Sequence, residues 1–154
     1  MLNLSPLKHI SSIILICFFM SSCSGVGINT SGVVRQNDPR PSGIPIASGS
    51  ILPLNGQTNI TGNALIFLQA QSSYILRLEG LNITWETGLK IRITSTLNGI
   101  QQTPTLFDLR FNNGNQNYTF STNGSNVVFN YVYIYSTQNL LLDYASARLF
   151  PNTN

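Results

Sequence analysis

Histidine, cysteine, methionine and charge are all scarce in this chain of 154 residues. It has one His, two Cys and two Met, with five acidic against eight basic side chains. The scarcity is uneven, because His9, Cys17, Met1 and Met20 all fall within the first 20 residues. Beyond them there is no imidazole and no thioether, and the one cysteine is Cys23. A domain built from that remainder cannot form an internal disulfide or a Cys/His zinc site. It cannot offer His or Met to a haem, which leaves Tyr as the unusual axial ligand. Neither a Ser-His-Asp nor a Cys-His nucleophilic group can be assembled. No cofactor is therefore expected. Low charge together with 42% hydrophobic residues also argues against disorder, which combines low hydrophobicity with high net charge.

What is present at the start, MLNLSPLKHISSIILICFFMSSC, has the layout of a secretory signal. Lys8 and His9 give a short positive region, and residues 10–20 an apolar stretch too short to span a bilayer. Small residues then lead to Cys23. The ending MSSC resembles the lipobox of bacterial lipoproteins. That resemblance implies cleavage after residue 22 and acyl chains, palmitate among them, on the Cys23 sulfur and its new amino group. Several acyl chains anchor stably where one holds only marginally. Ser24 implies, by the same resemblance, the outer membrane of a bacterial cell envelope. An ordinary signal peptide with an incidental cysteine is the alternative. Without Lys8 the chain keeps seven basic and five acidic residues, a net charge of +2. The basic residues Arg35, Arg40, Arg77, Lys90, Arg92, Arg110 and Arg148 are scattered, so nucleic acid is not an expected partner.

Residues 23–49 are rich in Gly, Ser and Pro and lack periodicity. They read as a flexible tether with a reach of about 25–30 Å; an ordered arm packed along the domain is the other reading. Residues 50–150 form the folded domain and 151–154 a tail. Within the domain, period-two alternation marks strands over 64–70, 74–80, 81–85, 89–94, 105–111, 116–121, 127–136 and 139–150. Turn signals at Asn98-Gly99, Asn113-Gly114 and Asn123-Gly124 separate several of them. About eight short strands with this punctuation predict an all-β fold, an antiparallel β-sandwich or partly open barrel.

The pieces LRLEGL (76–81), TGLKIRI (87–93), GNQNYTF (114–120), VYIYS (132–136) and DYASARL (143–149) resemble, in order, the DM-thirteen electron-transfer domain family. The resemblance implies a β-rich, surface-exposed domain and makes Gly114, Asn115, Gln116, Asn117 and Tyr118 a family motif. The family's proposed redox role rests on a cysteine in its "trp-cys" strand, and Tyr135-Ser136 stand there in this chain. With Ser136 in place of that cysteine, the fold and the surface location carry over and electron transfer does not. A non-catalytic binding or interaction domain is the resulting expectation, with a cell-envelope protein or glycan as partner. An accessory component of a cell-surface electron-transfer system and a carbohydrate-binding domain are the alternatives.

Candidate contact residues are aromatic. Tyr131, Tyr133 and Tyr135 alternate along one strand, with Phe129 extending the row. They form either a surface that stacks on sugars or peptides or one face of the sandwich core. Trp85 is a ligand platform or an edge packing residue. Of the carboxylates, Asp108 shares a strand face with Arg110, and Glu79 with Arg77. Cross-strand ion pairs on solvent faces explain them better than a hydrolytic acid pair. In NNGNQNYTF (112–120), Asn113-Gly114 is expected to make a tight hairpin turn, beside which Gln116 and Asn117 satisfy backbone groups.

Overall fold

The computed structural model describes residues 27–28, 34–84, 87–124, 126–138 and 143–152, with side chains from Gln36 onward. Cys23, Trp85 and Glu86 lie outside them. Thirteen strands follow one another: β1 (Gly27–Ile28), β2 (Val34–Asn37), β3 (Ala47–Ser50), β4 (Leu52–Pro53), β5 (Thr61–Ala70), β6 (Ser73–Asn82) and β7 (Leu89–Leu97). Then come β8 (Ile100–Gln101), β9 (Thr105–Asp108), β10 (Asn113–Ser121), β11 (Val127–Ser136), β12 (Asp143–Arg148) and β13 (Phe150–Pro151). The count exceeds eight because six strands of two to four residues (β1, β2, β3, β4, β8 and β13) join the sheets, while Leu81 and Asn82, expected to open a separate strand, end β6.

The strands form two sheets packed face to face, the expected β-sandwich. One runs β1-β2-β10-β6-β5-β3-β13. The other runs β4-β12-β11-β7-β8, with β9 also paired to β7. All pairings are antiparallel except β2 with β10. Alternation explains which face each strand buries. In β7, Leu89, Ile91 and Ile93 enter the core while Lys90, Arg92 and Thr94 point away. Ile66, Leu76 and Leu78 meet them from the other sheet. Burying each such side chain contributes about 1.5–3 kcal/mol. One end of the core is aromatic: the Tyr74 and Phe129 rings lie edge to face at 5.0 Å, and Phe120 meets Phe129 at 5.7 Å. Asn98 and Gly99, both at positive φ, link β7 to β8 as a two-residue hairpin, the turn their sequence predicts.

The tether expectation fails from Val34 onward. Strand β2 adds to β10, and β3 pairs with β5 four strands away in the same sheet. The segment between them, residues 38–46, is a strap across the outer face of this sheet. Beneath it Leu65, Phe67 and Arg77 are buried although they point away from the core. The cause is chemical: an apolar pair and a guanidinium on an outer face need a cover. Pro and Gly in this stretch mark an irregular path, not a free linker.

A second correction concerns Asn113-Gly114. Gly114 has a positive φ of 99°, but it lies inside β10 and no hairpin forms there. It pairs with Leu81 on one side and Gln36 on the other, and the register with β6 shifts between Gly114 and Gln116. A Cβ here would lie 1.9 Å from the Gln36 carbonyl oxygen. The glycine permits a bulge and the close approach of β2.

Candidate functional site

Strand β11 decides where the tyrosines go. Its pairing with β7 shifts register between Phe129 and Tyr131. This bulge at Asn130 reverses the alternation. Phe129 therefore turns into the core, 3% exposed, and does not extend the tyrosine row. After the bulge, Val132 and Ile134 face inward, and Tyr131 and Tyr133 face outward, half-buried. The reading of the tyrosines as one face of the core is overturned. They stand on the outer face of the second sheet.

The two rings stack on each other, 5.6 Å between centroids and 29° between planes. Opposite Tyr133 across the sheet stand Arg92 and Ser146; opposite Tyr131 stand Thr94 and Arg148. The Arg92 guanidinium lies 4.7 Å from the Tyr133 ring and 5.4 Å from that of Tyr135. The same Arg92 donates to both Asp143 carboxylate oxygens, at 3.1 and 3.3 Å. It thus spends its charge within the sheet and covers Tyr135, which is only 6% exposed. Of the three phenols, two are presented and one is structural.

Beside Tyr131 and Tyr133 runs a groove of about 520 Å³, within the range of small-ligand clefts. Thr94, Thr96, Gln101 and Asn130 supply hydroxyls and amides to its lining, and Arg148, Phe150 and Pro151 complete one side. Phe150 is 57% exposed, and the Arg148 guanidinium lies 5.2 Å from its ring. Sequence reading missed Thr94, Asn130, Arg148 and Phe150. Only the bulge and the crossing of the chain between sheets at Leu149 bring them together.

The GNQNY motif performs a different task. Gln116 is fully buried: its Oε1 accepts from the Phe111 amide at 3.1 Å, and its Nε2 donates to the Phe111 carbonyl at 2.6 Å. The Tyr118 hydroxyl donates to the same Gln116 oxygen and accepts from the Arg110 amide. On the opposite face, Asn115 donates to Asn37 and Asn117 donates to the Pro39 carbonyl. Inward residues of the motif close the 109–112 loop, and outward ones fasten the strap. Gln116 thus satisfies backbone groups, though those of Phe111 and not of a hairpin turn, whereas Asn117 serves the strap.

Ser136 is also fully buried, with its Oγ accepting from the Gln138 amide at 3.1 Å. The position is enclosed and serves the turn after β11.

Each of the four carboxylates among the described residues faces a cation: Asp38–Arg110, Glu79–Arg77, Asp108–Lys90 and Asp143–Arg92. Lys90 with Asp108 is the expected exposed cross-strand pair, which raises the Lys90 pKa above its ordinary value through the hydrogen bond to Asp108. Arg77 departs from expectation. It pairs along its own strand with Glu79 and is 3% exposed, because the strap lies over it. No group of three or more His, Cys, Asp or Glu side chains converges among the described residues. Compared with protein-family models, curated proteins and solved structures, the chain matches none.

Proposed function

We propose that this chain is a bacterial envelope lipoprotein whose β-sandwich is a non-catalytic binding module of the DM-thirteen type. One observation carries the binding reading: Tyr131 and Tyr133 stand stacked and half-exposed beside a groove, on a sheet face with no core role. Aromatic rings with polar tips suit contacts that are apolar at one end and wet at the other. Electron transfer by the chain itself gains no support, since the position that resembles the family's cysteine holds a buried serine.

Anchoring at Cys23 follows from the lipobox resemblance, and the fold adds a geometric consequence. Strand β1 begins at Gly27, four residues past Cys23, and four extended residues span at most about 14 Å. An acylated Cys23 therefore holds the domain against the headgroups and not on a long stalk.

The anchor is tested by fractionation: Cys23→Ala moves the protein from the membrane to the soluble fraction, and unchanged fractionation sinks it. The binding face is tested by Tyr131→Ala, which abolishes retention on a cell-envelope fraction that binds the unaltered chain; losing a half-buried, stacked ring should cost about 1 kcal/mol of stability and leave the domain folded.

A further inference from the structure

We infer that the groove beside Tyr131 takes a carboxylate-bearing oligosaccharide; this rests on the reading of that face as the binding surface. Three features converge on it. The first is backbone supply. Directly under the rings, Tyr131 to Ile134 of β11 pair with β7 on one side and β12 on the other, whereas Val128 and Phe129 pair with β7 alone. The amides and carbonyls beneath the rings are spent, so an extended peptide cannot add as a strand at the tyrosines. Recognition must run through side chains.

The second feature is the kind of side chain. The phenol rings, where they are not covered by each other or by Arg92, offer apolar surface to the C–H face of a pyranose. Thr94, Thr96, Gln101 and Asn130 each carry groups that donate or accept. Val128, Phe150 and Pro151 add apolar surface to the same lining, and a sugar, with hydroxyls that donate and accept and an apolar C–H face, meets both.

The third is charge. Among the described residues no acidic side chain lines the groove, and Arg148 is the one charged residue that does. Arg92, on the same sheet face, is neutralised by Asp143. Arg148 has no carboxylate partner among the described residues, and its interaction there is with the Phe150 ring. A guanidinium fork beside a sugar platform is complementary to one carboxylate, in the bidentate geometry Arg favours. A single unpaired cation does not suit a polyphosphate backbone, which needs several.

The experiment titrates the purified full-length chain with oligogalacturonate and with its methyl ester, following amide resonances by NMR. The expected result is movement of Thr94, Tyr131 and Tyr133 signals with the acid. Binding should be weaker by about tenfold or more for the ester and for Arg148→Gln, the loss of one charge-assisted pair. Arg148→Lys should fall between. Arg148 is solvent-exposed, so these variants fold, and their unfolding midpoints check it. Equal affinity for acid and ester, or an unaffected Arg148→Gln, overturns the carboxylate assignment. If no saccharide moves these signals but peptides do, the glycan class is overturned while the binding face stands. If every ligand moves signals elsewhere, both fall.

Discussion

Arg77 donates from Nη1 to the carbonyl oxygens of Asp38 and Pro39, at 3.1 and 3.2 Å, across 39 and 38 residues of sequence. The same nitrogen reaches Asn117 Oδ1 at 3.1 Å, and Nε reaches Glu79. One guanidinium thus joins β6, β10 and the strap. It is buried because every donor direction in use meets an oxygen, the condition under which a charge tolerates burial. The Asp38 side chain completes the junction from the other side, accepting from the Asn117 amide and from Arg110.

Arg77→Ala leaves those carbonyls and Glu79 without their partner and should destabilise the domain by about 3 kcal/mol or more. Deleting residues 38–46 should be worse, since it uncovers Phe67 and Leu65. Urea unfolding followed by intrinsic fluorescence measures both. A deletion that unfolds at the normal midpoint would restore the view of this segment as a linker.

Gly114→Ala tests why the motif opens on glycine. Positive φ and the 1.9 Å approach to the Gln36 oxygen both oppose a side chain, at a cost of about 1–3 kcal/mol for the backbone alone. Proteolysis in the native state should become faster in residues 34–40, where β2 would lose its seat. Uniform destabilisation without local cleavage would argue against this role.

Asp38 supplies a pH dependence. Burial opposes its charge, but the Asn117 amide, the Gln36 side chain and Arg110 outweigh it and hold its pKa below the ordinary 3.8. A carboxyl with a lowered folded-state pKa gives its full stabilisation above its unfolded pKa. That contribution is lost as pH falls through the folded-state value. Asp38→Asn should therefore unfold more easily than the unaltered chain at neutral pH, by about 1.5–3 kcal/mol for charge-assisted hydrogen bonds. The gap should begin to close as pH drops below 3.8. A gap that stays constant into strong acid would show that the carboxylate is not paired.

Ser136→Cys installs at this position the residue that the proposed resemblance to the DM-thirteen family implies. Enclosure predicts a thiol that a water-soluble disulfide reagent does not reach until the domain opens. In a chain expressed from residue 24 onward the new thiol is the only one, and it should react only when urea is added. Prompt reaction in the native state would mean that the position is accessible and that a redox role could be rebuilt there.

The two-sheet fold and most strand positions were legible along the chain, because alternation such as that in LKIRIT and a turn such as Asn98-Gly99 act over a few residues. Three things were not. The fate of Phe129 depended on one bulged residue, which inverts every facing that a strict period of two assigns. The role of Gly114 depended on Gln36, far away in sequence and parallel to it. The burial of Arg77 depended on a strap whose Pro- and Gly-containing composition reads as linker. Composition alone determined that the chain beyond residue 20 has no imidazole, no thioether and a single thiol. Only tertiary structure decided that Tyr131 and Tyr133 face solvent beside Arg148, which has no carboxylate partner among the described residues, because side-chain direction is set by local period but neighbourhood by the pairing of distant strands.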